Sequence, residues 1–143
     1  MKILLFGLPG SGKTTLAKPL AELLGAVHIN ADVVREEYND WDFTLEGRMR
    51  QAQRMKYLAD GVVKAKRICV VDFVCPTEKG RAEFDADFTI WMDTINKGRF
   101  EDTNKMFEKP SSCDYHVSEW FNDTHEQLVR VIKKYIQKRY LNV

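Results

Sequence analysis

Cysteine is scarce in this chain and has no partner pattern. Cys69, Cys75 and Cys113 are odd in number, widely spaced and form no CxxC pair. Such a set excludes a disulfide scaffold, a zinc ribbon and a redox dithiol. An excess of charge of one sign is also lacking. Twenty-two Lys and Arg stand against 21 Asp and Glu, a net charge of +1. The chain therefore has no long-range field of the kind a general nucleic-acid binder uses, although a local basic patch stays open. Long apolar runs are missing: the longest, residues 3–8 and 68–71, are far too short to span a bilayer. A first strand expected from Lys2 leaves no room for a signal peptide. There is no repeat and no low-complexity segment. The expectation is a reduced, soluble, cytoplasmic protein with no membrane partner. What is present suffices for a core. The 143 residues suit one domain, 1–143, and 44% hydrophobic residues exclude whole-chain disorder.

Periodicity alternates between strand and helix. A short apolar strand over 2–6 precedes a helix over 13–24, with Leu16, Leu20, Leu23 and Leu24 on one face, Pro19 inside it and Gly25 as its stop. Then come a strand over 26–30, a short helix over 32–38, a loop over 39–43 and a long helix capped by Thr44 and running to 64. Residues 67–74 form a near-continuous apolar strand of the kind buried on both faces of a parallel sheet. A short helix over 77–84, a strand over 88–92 and a short strand over 115–117 follow. Asp123 or Thr124 caps a final helix to about 141, with Leu128, Val131, Ile132, Tyr135 and Ile136 inward. Strands separated by helices predict βαβ units, hence an α/β parallel sheet. Residues 94–112 are polar and irregular. A segment of that length in a compact domain is a lid candidate, and a short surface helix over 102–107 on a connecting loop is the plainer alternative.

The sharpest signal is Gly7-Leu8-Pro9-Gly10-Ser11-Gly12-Lys13-Thr14, which fits GxxxxGK[ST] at every fixed position, between an apolar strand and an amphipathic helix. The glycines let backbone N–H groups turn inward around phosphate oxygens, and the helix start points its positive dipole end at the same anion. Lys13 can reach the β- and γ-phosphates, and Thr14 can place a hydroxyl on Mg²⁺. The ATP-binding set is thus Gly7, Pro9, Gly10, Ser11, Gly12, Lys13, Thr14 and Thr15. No guanine-reading NKxD is present, and a motor or AAA-type ATPase is expected to need more chain. A small phosphotransferase remains, with its acceptor site at the carboxyl ends of the strands.

Three clusters fall there. The first, just past the second strand, is Asn30-Ala31-Asp32-Val33-Val34-Arg35. Asp32 is a candidate to accept the acceptor hydroxyl's proton or to hold the Mg²⁺ shell, and Arg35 to clamp an anion; equally, Asp32 is a plain N-cap and Arg35 a solvated charge. The second is the long helix, where Leu45, Met49, Ala52, Met55, Ala59, Val62 and Val63 form one inward stripe at about 100° per residue. Arg48 falls in the middle of that stripe and Gln51 at its edge. A charge in an apolar face needs a partner or an anionic ligand, unless it snorkels from the helix start. Arg50 and Arg54 point away and read as solvated. The third is Asp72-Phe73-Val74-Cys75-Pro76 at the exit of the third strand. Asp72 reads either as a Walker B carboxylate holding Mg²⁺ through water or as a buried structural Asp. Phe73 either stacks a base or fills core, and Cys75 packs rather than reacts.

Together the clusters resemble the adenylylsulfate kinase (APS kinase) family of P-loop kinases, from residue 2 to about 93. That family reads GLSGAGKTT, DGDNVR, GFS-x-x-x-R-x-x-N and FISP. This chain reads GLPGSGKTT over 7–15, NADVVR over 30–35, Asp42-Phe43-Thr44 followed by Arg48 and Gln51, and FVCP over 73–76. The resemblance implies a P-loop NTPase fold with a five-stranded parallel sheet of order 2-3-1-4-5. It implies transfer of the γ-phosphoryl of MgATP to the 3′-hydroxyl of adenylylsulfate, with Asp32 as the catalytic carboxylate. Arg35 and Arg48 would grip the acceptor's anhydride and phosphate, Phe43 would stack on its adenine, and Gln51 would stand in for the family's Asn. Val74 and Cys75 would give backbone contacts. The chain departs from the pattern at Asn30, where the family has Asp, and at Cys75, where it has Ser. Asp72 has no counterpart there, and residues 94–112 are shorter than the family lid. In that segment Arg99 is the candidate lid cation, and Phe100 or Phe107 the candidate to close on a base.

Two other readings stay open. A P-loop kinase acting on a nucleic-acid 5′ end or another small hydroxyl compound would gain support if Lys64, Lys66, Arg67, Lys133, Lys134, Lys138 and Arg139 lined one groove. A non-catalytic nucleotide-binding protein would keep the loop and lose transfer. The expected partner is a small molecule rather than nucleic acid, and the oligomeric state, a homodimer included, is left open.

Overall fold

The computed structural model describes residues 1–141. Five strands, β1 (Lys2–Phe6), β2 (Val27–Asn30), β3 (Cys69–Asp72), β4 (Phe88–Met92) and β5 (Tyr115–Val117), form one sheet in the order β2-β3-β1-β4-β5. Every pairing is parallel, as the resemblance implies. The central strands β1 and β3 are buried at every position, which is why their sequences show no polar alternation. Successive residues feed opposite faces. Ile3, Leu5, Val70 and Ile90 pack with Leu16 and Leu20 of α1 (Lys13–Leu24) and with Leu128 and Ile132 of α6 (Thr124–Ile136). Leu4, Phe6 and Val71 pack on the other face with Val34 of α2 (Ala31–Tyr38), Met55 and Ala59 of α3 (Leu45–Lys64) and Phe84 of α4 (Glu78–Phe84).

Local chemistry sets the element ends. Pro19 sits inside α1 without breaking it, and Gly25, left-handed at φ 62°, closes it with an N–H to the Glu22 carbonyl. Thr44 caps α3 by accepting the Gly47 N–H, and Thr77 caps α4 in the same way through Gly80. Asn30, not Asp32, caps α2: its side-chain oxygen accepts the Val33 N–H.

Several expectations are corrected. The third strand spans four residues rather than 67–74. Phe73 still donates to the Leu5 carbonyl, but the chain then swings out of the ladder to Cys75, whose φ is 42°. Residues 94–112 are not wholly irregular, since α5 (Glu101–Met106) lies within them with Thr103 buried. The long helix does not bury its whole apolar stripe: Leu45 is 66% and Met49 57% exposed, whereas Met55 and Ala59 are sealed. A crossover helix runs against the strands, so its first turns overhang the strands' carboxyl ends, where no sheet lies beneath them. In α6, Val129 is buried and Val131 is exposed, and a π-helical stretch (Gln137–Leu141) continues the helix. No described helix is long and apolar enough to cross a membrane.

Candidate active site

The glycine loop leaves β1 and turns into α1. Its backbone is held by Ser11 N–H to the Leu8 carbonyl and by Gly7 N–H to the Val74 carbonyl. Gly12 immediately precedes the helix at φ 95°, and a Cβ there would come within 2.7 Å of the Trp120 ring. Lys13 is buried, and its Nζ donates at 3.0 Å to each of the Gly7 and Leu8 carbonyls. Burial pushes its ammonium down to about 8, opposed by the charges of Asp72 and Asp32. The hydroxyl of Ser11 is buried without a hydrogen-bond partner. Pro9 is half-buried, and Gly10 and Thr15 are exposed.

Beside the loop, Thr14 Oγ1 donates to Asp72 Oδ1 at 3.0 Å. Asp72 ends β3 and is 2% exposed. Asn30, its register partner on β2, donates Nδ2 to both Thr14 Oγ1 and Asp72 Oδ1, each at 3.0 Å. His28 Nε2 meets the other carboxylate oxygen, Oδ2. Where the resembling family has an Asp at the end of β2, this chain has Asn30, and a carboxylate stands one strand over. Sequence reading missed His28, which has no motif around it.

The group fits a triphosphate with Mg²⁺. A cationic side chain, a helix start and an orphaned hydroxyl face the loop, and the Thr14 hydroxyl, whose proton is taken by a buried carboxylate and one lone pair by Asn30, keeps its other lone pair free for a hard cation. Lys13, Ser11 and the loop N–H groups would hold the phosphates; Thr14, with Asp72 behind it, would hold the metal.

The residues expected on the acceptor side lie on α2, the α2–α3 turn and α3. Asp32 is exposed in the first turn of α2. Arg35 is 5% exposed, not solvated. Its Nη1 donates to the carbonyls of Asp40 and Asp42, and its guanidinium lies 4.3 Å from the Phe43 ring centroid. Burial draws the Arg35 pKa below its ordinary value. Arg48 is half-buried. Its Nε donates to the Phe43 carbonyl, its Nη2 to Thr103 Oγ1, and its guanidinium lies 5.7 Å from the same ring. Both arginines therefore converge on Phe43, which is 53% exposed. Gln51 is buried and donates to the Ala31 carbonyl. Arg54 is not solvated as expected: it pairs with Asp40 at 2.6 Å, and Arg50 pairs with Asp40 and Asp42. The loop folds back over α3 and brings these carboxylates to it.

Phe73 fills core. At 7% exposure, edge-on to Phe84 at 5.6 Å, it offers no face to a base. Cys75 is 2% exposed, and burial pushes its thiol up to about 12, so it packs and does not react. The Val74 carbonyl accepts the Gly7 N–H of the loop, and the Cys75 carbonyl accepts from Arg81 Nε.

Residues 94–112 touch both halves. Thr94 Oγ1 donates to the Ser11 carbonyl at 2.7 Å. A Cβ on Gly98 would stand 3.1 Å from the Pro9 carbonyl oxygen. Asn104 clasps Gly98 by two hydrogen bonds, and Thr103 meets Arg48. Arg99 is exposed, 5.7 Å from the Phe100 ring; Phe107 packs toward the α3–α4 core. A cavity of about 250 Å³ between this segment and Leu8 is lined by Trp91, Asp93, Asn104 and Phe107 among others. The basic residues of the nucleic-acid reading do not line one groove. Lys64 ends α3 and Lys66 and Arg67 follow it, Lys133 and Lys134 lie in the last turn of α6, and the sheet separates these helices.

A family model described as an AAA domain matches residues 3–143, so chain length does not exclude that description. A probable adenylyl-sulfate kinase of Aeropyrum pernix is 35% identical over 86 residues, 54% of this chain and 45% of that protein. A shikimate kinase of Actinobacillus pleuropneumoniae is 27% identical over 115 residues, 76% of this chain and 66% of that protein. The chain thus spans about half to two-thirds of the length of these relatives. Among solved structures, the Mycobacterium tuberculosis APS kinase in complex with AMPPNP and APS superposes with a TM-score of 0.75 over 92% of this chain and 96% of that one, at 16% identity. At that identity the likeness is one of fold.

Proposed function

Because this chain belongs to the AAA domain family, we propose that it works as a small P-loop kinase moving the γ-phosphoryl of ATP to the 3′-hydroxyl of adenylylsulfate. The observation that carries this reading is the convergence of Arg35 and Arg48 on the half-exposed Phe43 ring, at the strand ends that also carry the glycine loop. Two cations and one aromatic face suit an acceptor with two anionic groups and a base. The relative from Aeropyrum pernix supports the same choice.

In this mechanism Lys13 leaves the Gly7 and Leu8 carbonyls and turns to the β- and γ-phosphates, where it neutralises charge developing in transfer. Thr14, with Asp72 behind it, would hold Mg²⁺, which would supply further charge neutralisation at the phosphates. Asp32, exposed at the start of α2, accepts the proton of the acceptor hydroxyl as its oxygen bonds to phosphorus and the bond to the ADP oxygen breaks. Arg99 brings a further cation when residues 94–112 act as a lid. The main chain of Val74 and Cys75 lines the acceptor wall.

A different small hydroxyl acceptor is the second reading, favoured by the shikimate kinase match over 76% of the chain. A thermal-shift screen in MgADP tests the choice. Adenylylsulfate should raise Tm by about 3 °C or more beyond MgADP alone. No shift with adenylylsulfate, alongside a shift with a hydroxy acid such as shikimate, would overturn it.

A further inference from the structure

His28 sits on β2, two residues before Asn30, with its side chain 19% exposed. It belongs to no phosphate or acceptor motif, yet it meets the one carboxylate oxygen of Asp72 that the other partners leave free. Three side chains divide the carboxylate cleanly. Oδ1 receives the Thr14 hydroxyl and the Asn30 amide. Oδ2 receives His28 Nε2. Because a carboxylate only accepts, Nε2 carries the proton in that contact.

The orientation of Thr14 depends on this arrangement. Its hydroxyl has one proton and two lone pairs. With the proton on Asp72 Oδ1, a lone pair is left for a cation at the phosphates. A carboxylate free to turn about its Cβ–Cγ bond would swing Oδ1 out of line with the Thr14 hydroxyl and release its proton. Asn30 leaves Oδ2 unheld, since one of its amide hydrogens goes to Asp72 Oδ1 and the other to Thr14, and its own Oδ1 caps α2. The imidazole locks the far oxygen.

We propose that His28 is a positioning residue for the metal end of the site: it holds Asp72 Oδ2 so that Oδ1 keeps the Thr14 hydroxyl turned for Mg²⁺. This rests on the reading of Thr14 and Asp72 as that end of the site. Groups that orient a ligand residue in this way are typically worth about 10- to 100-fold in metal affinity.

The test is calorimetry of ADP binding with Mg²⁺ and in chelator, a measurement without turnover. In the intact chain, Mg²⁺ should tighten ADP binding, and His28→Leu should reduce that gain by about 10-fold while leaving metal-free ADP affinity unchanged. His28→Gln, whose amide N–H reaches a similar distance, should restore most of the gain. Thermal melts of both variants show that they fold. An undiminished Mg²⁺ gain in His28→Leu would overturn the proposal. So would a His28→Gln variant that folds like wild type yet loses the gain as fully as the leucine. If the intact chain gains nothing from Mg²⁺ and Thr14→Ala matches it, the metal reading itself falls, and the role of His28 with it.

Discussion

Burial draws the Lys13 ammonium down to about 8, while the backbone carbonyls of the loop share its protons. A phosphate arriving at Nζ restores the charge, so anion binding and protonation are linked. Affinity for MgADP should be level well below pH 8 and weaken as pH rises through about 8, read by calorimetry across that range. The stability sign runs the other way. The folded pKa lies below the ordinary 10.5, so the unfolded chain holds more protons between the two values, and this group makes the unliganded protein more stable as pH rises there. Lys13→Ala should lower kcat by about 10³-fold or more, because no other buried ammonium faces the phosphates among the described residues. Arg48→Ala should raise the acceptor KM about 10-fold and leave the ATP KM unchanged. Unchanged values of both would make Arg48 a structural tie between Phe43 and Thr103.

At the scale of elements, the first turn of α3 is the tightest joint in the site. A Cβ on Gly47 would fall 2.2 Å from the Asp42 carbonyl oxygen, in the turn that presents Phe43 and receives Arg35. Gly47→Ala should therefore destabilise the fold by about 2 kcal/mol in denaturant titrations and raise the acceptor KM as well. The alternation of strands and helices, the glycine loop and the Thr44 cap were legible in the sequence because each has a short-range signal: a period, a fixed spacing or a cap residue; the strand order has no such signal and came only through the family resemblance. Where α3 overhangs the sheet, the apolar period at Leu45 and Met49 continues with nothing beneath it, so periodicity overstated burial. In α6, Val129 and Val131 differ only in which faces α1 and the sheet, and that depends on packing. The Arg54–Asp40 pair and the His28–Asp72 contact join residues from separate elements, and no local pattern announces them. Phe73 reads from the sequence alone as either a base-stacking or a core residue, and its packing partner Phe84, which makes it core, lies on a separate element.

At the scale of the whole molecule, the parallel sheet gathers the glycine loop, Asp32, Asp72 and the Val74–Cys75 main chain at one end. The basic tails of α3 and α6 lie at the other, in different layers. With a net charge of only +1, this arrangement gives no steering field for a polyanion. Single-stranded oligonucleotides bearing a 5′-hydroxyl should neither stimulate ADP release nor bind with a steep salt dependence. Acceptor-dependent phosphoryl transfer is read out by ADP release in a coupled assay with MgATP. With transfer to adenylylsulfate, turnover should rise with its concentration, saturate, and vanish in Lys13→Ala. Equal ADP release with and without adenylylsulfate would contradict it.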